Sequence, residues 1–259
     1  MNIKVDPDWW KTLFDDVYLV TDARSVDNEQ VTRQEIDLVR QLIPLEPDDR
    51  ILDLCGGHGR HSLELARRGH RGCTVFDYSQ RLLEIGESRA RQQNCEIRFV
   101  QGDARDTGMP ADRFDHVLVL GNSLGYIAEP EADLAILRET LRVLRPQGWL
   151  LLDVSDGEMI RKKIAPNAWH EIGDDVVVCR LRELDGRMIC AREMVLSKSR
   201  GEIRDKSYCI RLYEGEELGK LVSQAGYANV KVHTDLTPFQ KGRDLGCMNH
   251  RLILCAQKP

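Results

Sequence analysis

The sequence predicts an α/β protein: a doubly wound parallel sheet carrying an antiparallel β insert. Three observations carry this prediction. Between residues 51 and 154, short apolar runs alternate with amphipathic helical stretches, the rhythm of parallel strands with helices on both faces. Within that region Asp53-Leu54-Cys55-Gly56-Gly57-His58-Gly59 leads from a strand through a glycine-dense turn into a helix. After residue 156 the apolar period shortens to two, which reads as antiparallel strands.

Taken in order, residues 8–30 mix Trp9, Trp10, Phe14 and Tyr18 with acids and turn formers. They read as a short helix followed by a loop from Thr21 to Gln30. Two roles stand side by side for this segment: packing against the sheet, or a lid over a ligand at its edge. Thr32-Arg33-Gln34-Glu35 reads as a capping box opening a helix, with Ile36, Val39 and Ile43 on its inner face and Pro44 ending it. Strands follow at 51–54, 73–77, 97–101, 116–120 and 149–154, with helices at about 60–68, 79–92 and 131–144. The insert reads as strands 169–172, 176–184, 188–196 and 208–213, joined by turns at Gly173-Asp174-Asp175 and Asp185-Gly186. A helix over 216–224 ends at Gly226, and strands 230–233 and 250–256 close the chain. The expected organisation is an N-terminal lid segment (1–30), a ligand-binding core (31–156), the insert (157–213) and a return to the core (214–259).

With 259 residues the chain can bury one full core with an inserted subdomain. A net charge of −5 argues against general affinity for nucleic-acid backbone or anionic lipid. The eight cysteines, at 55, 73, 95, 179, 190, 209, 247 and 255, form no Cys-x-x-Cys. Most lie in apolar strand-like surroundings and fit a reducing compartment better than a disulfide framework. The N-terminus has no apolar signal core, and no apolar run reaches membrane-spanning length. The expectation is a complete cytoplasmic protein, monomer or homodimer, with no nucleic-acid or membrane partner.

The chemistry is concentrated at strand ends. Asp53 closes the first strand, directly before the glycine turn. Asp77 closes the second, where a carboxylate accepts two hydrogen bonds from a ribose. Gly102-Asp103-Ala104 follows the third and suits the edge of an adenine. Gly121-Asn122-Ser123 follows the fourth. A single such Asp is most often a cap or turn former, and Ser79 supports that for Asp77. Four consecutive strands ending in glycine or carboxylate at one sheet edge read instead as an adenosine site. Ser62 stands where a pyrophosphate-binding turn needs its third glycine, and no triphosphate loop is present. His58 and His61, three apart, read as a helix-opening surface pair rather than metal ligands, and no metal is expected.

These motifs resemble the class I S-adenosylmethionine-dependent methyltransferases. The matching residues are Leu52 to Gly59, Val75 to Ser79, Phe99 to Ala104, Phe114 to Ser123 and Leu144 to Trp149, in family order and spacing over roughly residues 30–156. The resemblance implies a Rossmann-like sheet with an antiparallel last strand, and the insert as a lid. It implies that Gly56, Gly57 and Gly59 lie under the methionine part of the cofactor, with Cys55 in the same cofactor-binding turn and Asp53 either orienting that loop or taking a hydrogen bond from an amino group, that Asp77 holds the ribose, and that Tyr78 and Leu82 flank the base. Gly102, Asp103 and Ala104 would read the adenine, and Gly121 and Asn122 would lie near the sulfonium. Cys55 departs from the family by replacing the first glycine of Asp-x-Gly-x-Gly-x-Gly.

The implied activity is methyl transfer from S-adenosylmethionine to a small-molecule N- or O-nucleophile by in-line displacement, leaving S-adenosylhomocysteine. A macromolecular methyltransferase and a non-catalytic S-adenosylmethionine-binding protein stand as alternatives. No acid–base dyad is visible, so no catalytic residue is assigned. The acceptor is expected against the insert. Period two places Met188, Cys190, Arg192, Met194 and Leu196 on one face, where Arg192 is either a buried salt bridge or an acceptor contact. Arg211 and Tyr213 share a face, with Arg211 binding an anion or bracing the site. Tyr18, Tyr126 and His170 complete the acceptor candidates.

Overall fold

A computed structural model describes residues 3–234, 236 and 249–259. Seven strands form the main sheet: β1 (Arg50–Leu54), β2 (Gly72–Asp77), β3 (Arg98–Gln101), β4 (Phe114–Val119), β5 (Leu144–Ser155), β10 (Ala228–His233) and β11 (Arg251–Gln257). Their order is β10-β11-β5-β4-β1-β2-β3. The first five strands pair in parallel, and β11 runs antiparallel between β5 and β10. Chain direction across the sheet reverses between β1 and β4, which opens a crevice at their carboxyl ends.

Alternation along the strands builds two cores. Leu52, Leu54, Val117, Val119, Leu150 and Leu152 face one side, against helices α6 (Pro130–Val143) and α8 (Gly215–Gln224). Ile51, Leu118, Leu151 and Ile253 face the other, against α3 (Glu29–Leu42) and α4 (Arg60–Arg67). Truncating any of these fully buried leucines to alanine costs about 2–5 kcal/mol. Helix α5 (Gln80–Gln92) joins β2 to β3.

Helix α3 starts earlier than its capping-box pattern predicts. Asn28 is the N-cap, its side chain accepting from Val31 N at 3.1 Å. Thr32 and Glu35 lie within the helix and are buried. Glu35 is used for an ion-pair cluster rather than a cap; α1 (Asp16–Thr21) matches the short helix expected in this segment, while the stretch read as a loop holds α2 (Ala23–Val26) and the start of α3. A further helix, α7 (Gly157–Lys163), was not expected. Asp156 caps it, its carboxylate accepting from Glu158 N and Met159 N.

The insert is a separate four-stranded antiparallel sheet, β6 (Asn167–Ile172), β7 (Val176–Asp185), β8 (Met188–Ser197) and β9 (Gly201–Arg211), in sequential order. Strand β9 begins well before residue 208. The β7–β8 hairpin closes through Gly186 in the left-handed region (φ 55°) and pairs Asp185 with Met188. Cys190 and Cys209 are register partners on β8 and β9 and form a disulfide. The expectation of unpaired thiols therefore fails at this pair, because the hairpin sets the two side chains directly opposite. Cys247 lies outside the described residues. Among the described residues no helix is long and apolar enough to cross a membrane.

Candidate active site

The glycine turn after β1 shows why its sequence alternates. Residues 55, 57 and 59 all adopt the left-handed region, with φ of 57°, 57° and 71°. Two are glycine; Cys55 carries a side chain where one is disfavoured. Gly56 has a different reason to be glycine: a Cβ there would lie 2.7 Å from the Asp53 carboxyl carbon. The turn is tied to β2 by Gly57 N donating to Asp77 Oδ2 at 2.7 Å, and Asp77 Oδ1 accepts from Ser79 N at 2.8 Å. Burial pushes the Asp77 carboxyl up to about 6, against the backbone N–H bonds from Ser79 and Gly57. Asp53 lies beneath the turn. Its Oδ2 accepts from Ser62 Oγ at 2.9 Å, while Oδ1 is closed to solvent and has no partner.

A cavity at this edge is lined by Cys55, Gly57, Asp77, Asp103, Gly121 and Tyr126, among others. Gly56, Tyr78, Leu82, Gly102 and Ala104 also line it. Asp103 is paired with Arg105, at 2.6 Å to Nη2. Arg105 in turn lies over the Trp10 ring, and Trp10 packs edge-on against Tyr78. Three residues singled out from the sequence do not line this cavity. Asp53 and Gly59 lie behind it, a Cβ on Gly59 meeting Val75 at 2.9 Å. Asn122 turns its side chain to Ser155 N (2.7 Å), joining the ends of β4 and β5.

Beneath the edge lies a buried charge cluster that the sequence reading missed. Glu35 accepts from Arg60, from His61 Nε2 at 2.9 Å and from Arg251 at 3.1 Å. Burial opposes its ionisation, yet Arg60, His61 and Arg251 outweigh that and hold the carboxyl well below its usual range. Arg251 also pairs with Asp153, whose Oδ1 accepts from Gly121 N and Asn122 N at 2.9 and 3.1 Å. His58 and His61 are both buried, correcting their reading as a surface pair. The burial of His61 follows from α4 packing on α3, a long-range contact with no local signature, and the His58 backbone lies against Gly86 of α5. Among the described residues no group of His, Cys, Asp or Glu is arranged to hold a metal ion.

A family model described as a methyltransferase domain matches residues 51–148, which contain the glycine turn and all four strand ends. Residues 51–148 thus carry a class I S-adenosylmethionine-dependent methyltransferase domain. The 2-phytyl-1,4-naphtoquinone methyltransferase of Synechococcus elongatus is 40% identical over 106 residues, 39% of this chain and 43% of that protein. The match thus spans less than half of that relative. Among solved structures, the CcbJ methyltransferase of Streptomyces caelestis aligns over 98% of this chain and 99% of its own, at 18% identity and a TM-score of 0.75. The S-adenosylmethionine-bound structure of CalS10, an amino pentose methyltransferase from Micromonospora echinaspora, aligns over 96% and 99%, at 18% identity and a TM-score of 0.67. The site fits the cofactor: the edge is lined by glycine backbone and by the Asp77 and Asp103 carboxylates.

The chain has a second cavity, of about 400 Å³, between this edge and the four-stranded sheet. The two cavities share Phe14, Tyr18, Val26, Gly121 and Tyr126 as lining. The N-terminal segment forms much of the shared wall. Phe14 stacks on Tyr126 and meets Tyr18 edge-on, at 5.5 and 5.0 Å between centroids. Trp9 contacts Phe14, Tyr126 and Tyr208. This segment is fastened on both sides: Ser79 Oγ donates to Phe14 O and Arg81 pairs with Asp16, while Arg204 donates to Leu13 O. Burial pushes the Tyr18 and Tyr126 hydroxyls well above their usual range, so both stay protonated.

The inner face of the insert is the one opposite to that expected. Arg180, Ala191, Glu193, Arg204 and Tyr208 line the second cavity, with Ile189 and Ile210. Arg192 is exposed and pairs with Asp205 on the outer face, alongside the Cys190–Cys209 pair. Arg211 and Tyr213 line neither cavity. Both bond to the fully buried Asp133, whose Oδ1 accepts from Gly125 N at 3.0 Å. Arg211 also donates to the Ile127 and Ala128 carbonyls, at 3.2 and 2.7 Å. It braces the loop that carries Tyr126. His170 lines the second cavity.

Cys55 gives a direct test of the turn geometry. Cys55→Gly removes an unfavourable left-handed side chain, offset in part by added freedom of the unfolded chain, for a net gain of roughly 1 kcal/mol. The expected outcome is a melting temperature raised by about 2–4 °C. A lowered melting temperature would show that the thiol's packing outweighs the backbone cost.

Proposed function

We propose that the chain transfers a methyl group from S-adenosylmethionine to an N- or O-nucleophile of a small molecule, by direct in-line displacement, in the chamber beneath the four-stranded sheet. The carrying observation is the common wall: the cofactor-side cavity and the chamber meet at Phe14, Tyr18, Gly121 and Tyr126. In this reading Asp77 takes the ribose hydroxyls, Tyr78 and Leu82 flank the base, Asp103 and Ala104 meet the adenine edge, and Asp53 orients the glycine turn from behind. When bound, the cofactor supplies an already activated methyl on a sulfonium. The chain then has to align the nucleophile and exclude water. The aromatic wall of Trp9, Phe14, Tyr18 and Tyr126 suits both tasks, its two tyrosine hydroxyls acting as donors rather than bases. The relatives named for a quinone and an amino pentose support a small acceptor, and the chamber's size suits one.

The test is to fill the chamber. Ala191 is buried on its inner face, and Ala191→Trp should abolish transfer of labelled methyl to a panel of amines, sugars and phenols. Calorimetric binding of S-adenosylhomocysteine should persist. Transfer that survives the tryptophan places the acceptor elsewhere, and transfer to RNA or protein but to no small molecule overturns the acceptor class.

A further inference from the structure

Among the described residues the chamber is lined by five side-chain cations, Arg24, Lys163, Arg180, Arg182 and Arg204, and by two carboxylates, Asp22 and Glu193. Both acids are already engaged. Glu193 takes Arg180 at 2.7 Å and Arg204 at 2.5 Å, and Asp22 takes Arg180 at 3.0 Å. Arg204 is further paired with Asp15. Arg180 and Arg204 are therefore neutralised. Among the described residues, Arg24, Lys163 and Arg182 have no ion-pair partner; Arg182 donates to the Ala165 carbonyl at 3.3 Å and Lys163 lies 3.4 Å from His250 Nε2. The lining thus holds a surplus of positive charge.

A second, independent observation concerns His170. Its Nε2 is closed to solvent and has no hydrogen-bond partner, and the nearby Thr21 backbone favours a proton on the ring. A neutral ring that keeps its proton on Nδ1 leaves Nε2 with its lone pair. A buried acceptor without a donor is costly unless a ligand supplies one. Burial, with Arg24 and Arg180 facing the ring and Asp22 opposing them, keeps the imidazole neutral.

We propose that the methyl acceptor bears an anionic group and a separate N–H or O–H donor: Arg24, Lys163 and Arg182 meet the anion, and His170 Nε2 receives the donor. This rests on the chamber's being the acceptor site. None of these four residues lines the cofactor-side cavity, so their variants separate acceptor recognition from cofactor binding.

The test uses the full chain loaded with S-adenosylhomocysteine and two fluorescent probes. One is toluidinonaphthalenesulfonate, an aromatic with an N–H and a sulfonate; the other is its desulfonated analogue. The sulfonated probe should bind about five- to tenfold tighter, with the advantage shrinking as salt rises. The double variant Lys163→Gln/Arg182→Gln should erase that advantage and leave the neutral probe unaffected. His170→Phe should weaken both probes by a similar factor, about three- to tenfold. Equal binding of the two probes to the native chain, or an advantage that survives the double variant, overturns the anionic acceptor. His170→Phe without effect on either probe overturns the donor contact. Ala191→Trp should block both probes. If the probes bind despite it, the acceptor-chamber assignment fails instead. Failure of S-adenosylhomocysteine to bind the native chain would count against the cofactor-side roles alone.

Discussion

Asp77→Ala weakens S-adenosylhomocysteine binding about 10- to 100-fold, on the order of 1–3 kcal/mol, because the ribose loses its paired acceptor. The same substitution releases Gly57 N and Ser79 N, which the carboxylate now holds at 2.7 and 2.8 Å. The glycine turn therefore loosens together with the ribose grip. The pH dependence has a definite sign. Burial raises the Asp77 carboxyl to about 6, so acidification from pH 7 to 5 protonates it in the folded chain, removes an acceptor and lowers affinity. Its contribution to the stability of the ligand-free chain has the opposite sign. A carboxyl with a raised folded pKa takes up its proton more readily when folded, so its share of stability increases as pH falls from about 6 towards its unfolded value of about 4. Calorimetry from pH 5 to 8 reads the first effect, and thermal unfolding of native chain against Asp77→Asn reads the second. Affinity unchanged by Asp77→Ala rejects the ribose role.

Asp133→Ala destabilises the fold by about 3–5 kcal/mol, because it strands the Arg211 guanidinium as an uncompensated buried charge. Asp133 is fully buried, and three groups depend on it: Arg211, the Tyr213 hydroxyl and Gly125 N. For a chain of this size the loss appears as a fall in melting temperature of about 6–20 °C. Arg211→Met together with Asp133→Leu removes both charges at once and should recover much of the loss, since an apolar replacement of a buried pair is often neutral. A small effect of the single substitution would show that water reaches the pair. The consequence also reaches the site. Gly125, Ile127 and Ala128 are held by this cluster, and they flank Tyr126 in the wall between the two cavities.

The parallel half of the fold was legible because its signals are local. Each strand is a short apolar run, each helix has its own periodicity, and each turn has its own glycine or carboxylate. Helix ends read less well. Thr32 and Glu35 match a capping box, but Glu35 is drawn into the core by Arg60, His61 and Arg251, and Asn28 takes the cap. The burial of His58 and His61, the Asp133 cluster and the Cys190–Cys209 pair depend on residues far apart in sequence. Nothing in a local window marks them.

The meeting of Asp77, Asp103 and Gly121 at one cavity follows from local signals alone. Strands that run parallel put all their carboxyl ends at one sheet edge, so Asp77, Asp103 and Gly121 had to converge once the alternation was read. Only the tertiary structure decided what the insert offers to an acceptor. An antiparallel strand has two faces that differ by a shift of one residue, and both faces of β8 carry charge. Packing over the aromatic N-terminal segment turned Glu193 and Ala191 inward and left Arg192 outside with Asp205. That choice is made by contacts between segments, which alternation along one strand does not encode.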